Sequence, residues 1–437
     1  MKRRGKLLSL LMAGILVTGI LSGCGATEKP ADQATETGKE KVTITYPTYR
    51  VGSHASAAAE KAIIDEFNKL YGDEINLVVE ELPSDQAYVD KMKVLAASNE
   101  LPDVVEGKNG IVDLAIKNGQ AVDLMTYLNE DQSYKEEIGE EAIKFNTRDG
   151  KLYSIPDTRQ LIGYFYNKEI FDQVGITPAK TWEEFLSHCE KIKKAGYAPL
   201  ALMTGENAWT SNLLLASIIG TDGESGNSFM NTNKPTDYNN ASVIKGLEMM
   251  QKMLQEYTTQ DAVGAIYANA ANNFNQGKAA MIANGPWMTA DFKNEEKALK
   301  GFESKVGVAL YPGEGIVSQF EVGYMVCSKD EAKRDAAIKF LKFKTGKKAQ
   351  EIMLTKNGSL PLTENIEMSD AFKTENPLIV DLINISADAK YKYMNIDNTA
   401  YQAVVDVFAK LYPELVFGNI TPEEMATKMT EAAAKNK

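Results

Sequence analysis

Phe274-Asn275-Gln276-Gly277-Lys278-Ala279-Ala280-Met281-Ile282-Ala283-Asn284-Gly285-Pro286-Trp287 reads as a helix exit, a buried strand and a tight corner in succession. Gly277 supplies the turn after the helix. Ala279 to Ala283 is a short apolar run bounded by turn residues, the mark of a strand buried on both faces. Gly285-Pro286 stops that strand sharply. Trp287 then stands at the strand exit, the place where α/β folds open their ligand crevice. Two readings are open at this point. The indole is a stacking platform for a ligand, or it is a core aromatic closing the end of a sheet.

Working outward, the same alternation recurs. Val42 to Tyr46 is a first strand, and Pro47 to Ser53 is a loop at its C-terminal end. A helix follows, with Ala59, Ile63, Phe67 and Leu70 on one face. Ile75 to Glu80 is a second strand. Gln86 to Ser98 is a helix, with Val89 and Met92 inward, and Leu101 to Val105 starts a third strand. Strand, helix, strand, helix, strand is a βαβ series, hence a mostly parallel sheet covered by helices. With 437 residues the chain is too long for one compact core, so two or three units are expected. Hydrophobic content of 44% and charged content of 25% belong to an ordinary globular protein.

The N-terminus is distinct. Lys2, Arg3, Arg4 and Lys6 precede the apolar run Leu7 to Leu21, which is too short and wrongly flanked for a membrane span. Leu21-Ser22-Gly23-Cys24 resembles a bacterial lipobox. That resemblance implies a signal peptide over 1–23, cleavage before Cys24, lipid attachment to its sulfur, with palmitate among the acyl groups, and a flexible tether over 24–41. Cleavage takes four basic residues from a chain whose net charge is already −12. So acidic a protein lacks the basic footprint of nucleic-acid binding. The other two cysteines, Cys189 and Cys327, could pair as a disulfide in an oxidising compartment; the favoured reading is two buried free thiols, one in a helical pattern and one after an apolar strand. His54 and His188 are the only histidines, so a His-based triad is nearly excluded and no metal-ligand spacing occurs.

Further landmarks follow in order. They are Leu101-Pro102-Asp103-Val104, Gly150-Lys151-Leu152-Tyr153-Ser154-Ile155-Pro156 and Gly163-Tyr164-Phe165-Tyr166-Asn167-Lys168. After Phe171 and Gly175 comes Pro178-Ala179-Lys180-Thr181-Trp182-Glu183-Glu184-Phe185. Past the opening stretch stand Ala336 to Leu341 and Gly358-Ser359-Leu360-Pro361. Together they resemble the family 1 extracellular solute-binding proteins, the carbohydrate receptors of ABC importers, related to maltose-binding protein. The resemblance spans nearly the whole mature chain. Read physically, Thr181 and Glu184 form a capping box, which makes Trp182 structural. Asp103 braces a turn, and Tyr166 belongs to the core.

The resemblance implies a periplasmic-binding-protein-like α/β fold of two lobes, each a mostly parallel sheet flanked by helices, with the ligand cleft between them. Lobe 1 would hold 42–157 and 323–365. Lobe 2 would hold 158–322 and 366–437. The chain would cross just after Pro156 and again near Phe320 to Gly323. A sugar cleft needs aromatic faces for pyranose C–H surfaces and polar groups for hydroxyls. Trp287 matches the family's stacking tryptophan. Trp209 and Glu206 lie in the loop after the apolar run Pro199 to Met203, with helix packing the alternative for Trp209. Gln160, with Arg159 beside it, stands where maltose-binding protein has an acidic contact. Tyr49 and Arg50, with His54 ranked lower, follow the first strand. Asn109, near Glu106 and Lys108, follows the third. Asn395, Asp397 and Tyr401 enter the C-terminal helices, where Asp397 is alternatively an N-cap.

The function implied is capture of a sugar or oligosaccharide by hinge closure and its delivery to ABC permease subunits. The protein would be a monomer anchored by its lipid to the outer face of the bacterial cytoplasmic membrane. It would need no cofactor or metal and would bind no nucleic acid. Two alternatives stand beside this reading. A glycosidase needs two carboxylates about 5–10 Å apart, and 60 acidic residues cannot exclude that, although no motif singles out a pair. A receptor presenting ligand to a membrane sensor is the other.

Overall fold

A computed structural model describes residues 40–363 and 366–435. The expected signal peptide 1–23, Cys24 and nearly all of the tether lie outside the described residues. Twelve strands are described: β1 (Val42–Thr48), β2 (Ile75–Glu81), β3 (Val104–Glu106), β4 (Thr147–Arg148), β5 (Lys151–Leu152), β6 (Arg159–Asn167), β7 (Ala198–Leu200), β8 (Ala279–Asn284), β9 (Val306–Ala309), β10 (Gly315–Phe320), β11 (Tyr324–Val326) and β12 (Tyr391–Tyr393). Helices intervene between most of them, as the βαβ reading expects.

Strands β1 and β2 pair in parallel from Val42↔Ile75 to Thr48↔Glu81. The first strand therefore runs two residues beyond Tyr46, through Pro47, a residue confined in strands to places where no ladder N–H is needed. Asp103 ties this layer together. Its carboxylate accepts from Thr45 N at 2.8 Å, Thr45 Oγ1 at 3.0 Å and Ser328 Oγ at 2.8 Å. Around the layer packs a core containing Ile44, Tyr46, Phe67, Tyr324 and Phe340.

The second sheet has six strands in the order β12-β10-β6-β8-β7, with β9 also paired to β6. It is not mostly parallel. Only β10–β12 and β7–β8 are parallel, while β6 runs antiparallel to β8, β9 and β10. The expectation fails because β6 enters the sheet in the direction opposite to β8, β9 and β10, so these neighbours are not wound in by right-handed βαβ crossovers. The opening stretch behaves as read, with Gly277 in the left-handed region at φ 65° and every residue of β8 buried. The core on this side includes Trp182, Phe185, Leu214, Leu247, Phe408 and Met429.

Asp157 and Thr158 precede β6, and Gly323 precedes β11. Ile155 and Tyr324 exchange backbone hydrogen bonds at 2.9 Å beside this crossing. Gly323 sits at φ 77°, and a Cβ there would overlap the backbone of Ile155 and Pro156. The two strands thus pass as closely as a glycine allows. A further cluster of Leu161, Ile316, Leu354, Leu360, Ile366 and Leu382 straddles the expected boundary at 365/366.

Thr181 Oγ1 accepts from Glu184 N at 3.2 Å, while the Glu184 carboxylate reaches the amide of Lys180 at 2.7 Å. Trp182 is buried and donates through Nε1 to Thr221 Oγ1 at 2.8 Å, a structural role. Tyr166 packs on Phe171 with ring centroids 4.5 Å apart. Cys189 and Cys327 are free and buried. Burial pushes both thiols up, that of Cys327 to about 12, so neither is a thiolate near neutral pH.

Candidate functional site

The strand exit of β8 builds one wall of a cavity of about 1000 Å³. Asn284 Oδ1 accepts from Gly285 N at 2.8 Å, and Thr289 Oγ1 donates to Pro286 O at 2.7 Å. These bonds fix the Pro286–Met288 turn that carries Trp287. A Cβ on Gly285 would overlap the indole ring, so glycine is what lets the ring fold back at this corner. Trp287 is half-buried and lines the cavity.

The loop from Thr204 to Ala208 forms the adjacent wall. Glu206 and Ala208 hold φ values of 54° and 57°, a strained pair for residues with side chains. The loop is pinned by Thr204 N to Ala262 O at 3.0 Å and Gly205 N to Ala265 O at 2.8 Å. Trp209 begins the helix Trp209–Gly220, and its ring lies 5.0 Å from that of Tyr267 at 39°. Glu206 accepts from Tyr267 N at 3.4 Å. Trp209, Tyr267 and Trp287 thus give the cavity three aromatic surfaces.

Strands β6 and β10, with the residues just after β10, supply the floor. Asn395 N donates to Gln319 Oε1 at 2.7 Å, and Gln319 Nε2 donates to Gln160 Oε1 at 2.5 Å. Gln160 Nε2 in turn donates to Glu321. Each amide in this line has one donor and one acceptor committed, which fixes its orientation. Burial, with Glu106 nearby, pushes the Glu321 carboxyl up to about 7. Asp397 is not a helix cap: Asn395 holds that position before Ile396–Thr399. Asp397 instead accepts from Asn212 Nδ2 at 2.7 Å, and burial pushes it up to about 7.

The opposite face comes from the ends of β1 and β3. Arg50 is buried and pairs with Glu106 at 3.2 Å and Asp157 at 3.4 Å. Tyr49 donates to Glu106 Oε1 at 3.3 Å. Lys108 donates to Tyr49 OH at 3.0 Å and pairs with Asp85 at 2.8 Å. Arg50 is therefore held in an ion-pair network at the base of the cavity. Beneath it lies a second buried cation, Lys344, 2.7 Å from Glu60 and 3.6 Å from Asp157. His54 accepts from Ser56 N through Nδ1 at 3.1 Å, and burial with Arg50 nearby lowers it to about 4. It is neutral near pH 7.

A family model for bacterial extracellular solute-binding proteins matches residues 62–379. The chain belongs to that family. Solute-binding proteins of this kind bind and do not turn over their ligands. The "Multiple sugar-binding protein" of Streptococcus mutans serotype c is 27% identical over 361 residues, 79% of each chain. The "Arabinooligosaccharide-binding protein" of Bacillus subtilis is 23% identical over 300 residues, 67% of this chain and 64% of that one. In fold, a "Chitin oligosaccharide binding protein" superposes with a TM-score of 0.79 at 22% identity, covering 90% of this chain and 98% of the other. A Streptococcus pneumoniae solute-binding protein solved with the blood group A-trisaccharide gives 0.76 at 22% identity, covering 90% and 100%.

Of the expected ligand residues of this solute-binding protein, Trp287, Trp209, Glu206, Gln160, Arg159, Asp397, Asn395, Tyr49, Arg50 and Asn109 all line the one cavity. Tyr401 does not: its ring packs against the helical core with Lys234 Nζ 5.5 Å above it. The residue lies at the N-cap position of the helix Gln402–Val416, between the lining residues Ala400 and Gln402. Glu321, Gln319, Tyr267 and Asp85 also line the cavity and were missed. Glu321 follows Phe320 inside the crossing segment that the sequence picks out, so its acid was findable. Tyr267 and Asp85 each stand at the start of a helix and carry no local signal that separates them from surface residues. Among the described residues no group of three or more His, Cys, Asp or Glu could hold a metal ion.

Proposed function

We propose that this solute-binding protein captures an oligosaccharide in the cavity and delivers it to the permease of an ABC importer. The observation that carries the reading is the pairing of three aromatic surfaces, Trp287, Trp209 and Tyr267, with a floor of amides and carboxylates in about 1000 Å³. Aromatic faces cover pyranose C–H surfaces, and oriented amides exchange hydrogen bonds with hydroxyls that must leave water. The volume lies at the upper end of small-molecule pockets, which suits more than one sugar ring. The named relatives that bind sugars support the same class of ligand.

On this reading 42–157 and 323–365 form one lobe and 158–322 and 366–437 the other. The ligand bridges them, and closure about the crossing strands exposes a surface for the permease. Residues 1–23 are a signal peptide, Cys24 carries the lipid, and the protein works as a monomer at the outer face of the membrane. A thermal-shift screen across neutral, amino and acidic oligosaccharides tests the ligand class. A cognate sugar at 100–1,000 times its Kd should add about 3–4 kcal/mol of stability. A panel of broad linkage and length with no stabilising member would overturn the proposal.

A further inference from the structure

The cavity's charges are unevenly spent. Four of its lining cations are already ion-paired, with three acids: Lys108 with Asp85, Lys297 with Asp291, and Arg148 and Lys234 both with Asp113. Arg50 is held by Glu106 and Asp157. Arg159 is the only lining Lys or Arg, among the described residues, with no ion pair. The acids are not matched in this way. Glu321 and Asp397 line the interior and are bound only by neutral amides, Gln160 and Asn212. Glu206 adds a further acid at the rim, held only by a backbone N–H. His54 contributes no charge near neutral pH.

We infer that the cleft selects against carboxylated sugars and takes an uncharged oligosaccharide, whose hydroxyls donate to Glu321 and Asp397. This rests on the sugar-binding reading above and adds the charge class of the ligand. A carboxylate is an acceptor only, and so are the ionised forms of these two side chains. A ligand hydroxyl can donate to either of them; a ligand carboxylate meets acceptors with no proton between them. Protonating one acid relieves the clash but draws on the solvent's proton activity, so the discrimination is steeper at higher pH. The free guanidinium of Arg159 and the one positive charge left over at Asp113 stand against Glu321, Asp397 and Glu206, and cannot balance them and an added anion together.

The test uses the whole secreted chain and matched probes: gluco-, galacto- and manno-trisaccharides, each with its counterpart oxidised to carboxylate at C6. Titration calorimetry at pH 8 should give at least one neutral member that binds, with its oxidised partner at least tenfold weaker. In the Glu321→Gln and Asp397→Asn double variant that ratio should fall several-fold, because both substitutions keep an acceptor oxygen for Gln160 and Asn212 and remove the charge. An oxidised partner binding as tightly as the neutral sugar overturns the inference and leaves the sugar reading standing. A discrimination that the double variant leaves untouched is steric and also overturns it. Binding of neither kind overturns both.

Discussion

Two polar contacts on the rim of the cleft join segments assigned to different lobes, and removing one should loosen the closed state by a calculable amount. Lys234 Nζ lies 2.9 Å from Asp113, and Lys93 lies 3.6 Å from Asp406. Between them Gly110 approaches Gln402 so closely that a Cβ would meet its side chain at 2.8 Å. Lys234 and Asp113 are about a third exposed, at 29% and 34% of their side chains, so screening is substantial. Asp113 also keeps Arg148 as a partner, so deleting Lys234 strands no buried charge. The bridge is then worth about 0.5–1 kcal/mol, the range of exposed pairs, and its loss multiplies the open-to-closed ratio by about 2–5. The looser Lys93–Asp406 pair should add little. Lys234→Ala should shift ligand-free single-molecule FRET between residues of 42–157 and 241–256 toward the open state. Apparent Kd should rise by at most the same factor, an effect that shrinks as salt approaches 1 M. Lys234 also lines the cavity, so weakened binding alone is not decisive. An unchanged ligand-free distance distribution at low salt would refute the reasoning.

The remaining predictions concern the ring, the buried charges and pH. Trp287→Ala should weaken binding of the cognate sugar by about 2–10-fold or more, since an aromatic stack contributes about 0.5–1.5 kcal/mol beyond area burial; calorimetry reads this, and an unchanged Kd removes Trp287 from the site. Lys344→Met strands Glu60, whose side chain is about 1% exposed, while Asp157 keeps Arg50, and should cost about 3–5 kcal/mol in urea unfolding; a loss below 1 kcal/mol would contradict the buried network. Asp397 has its folded pKa raised to about 7 by burial, so the folded state holds a proton that the unfolded state releases near pH 4. Stability from this group is greatest at low pH and is lost as pH rises through that window. The Tm of Asp397→Asn relative to the parent should therefore be higher at pH 8 than at pH 5, and a pH-independent difference would refute the shift.

Periodicity and turn residues carried most of what was legible. Gly277, the run Ala279 to Ala283 and Gly285-Pro286 each do locally what their chemistry dictates, so β8 and its corner could be read without a structure. Trp182 was readable for the same reason, because capping is short-range, whereas Asp103 braces no local turn but bonds Thr45 and Ser328 across the layer. Sheet direction was not readable either. The βαβ pattern describes the start of the chain, whereas β6 and β10 are set antiparallel by contacts between residues more than a hundred positions apart, such as Gln319 against Gln160. Arg50 shows a second limit. Its position after β1 places it at the cavity, yet only the fold brings Glu106 and Asp157 to it. Tyr401 shows a third: a residue placed by analogy beside a helix start can pack on the core while its neighbours Ala400 and Gln402 line the cavity.

The central claim is that a sugar ring lies against Trp287 over the amide and carboxylate floor. A crystal structure with the oligosaccharide that gives the largest thermal shift tests it most directly. The account predicts a pyranose ring stacked about 4–5 Å from the Trp287 indole, with hydroxyls in hydrogen-bond range of Glu321 or Asp397. A bound sugar outside this cavity, or one that leaves the Trp287 face uncovered, would contradict it.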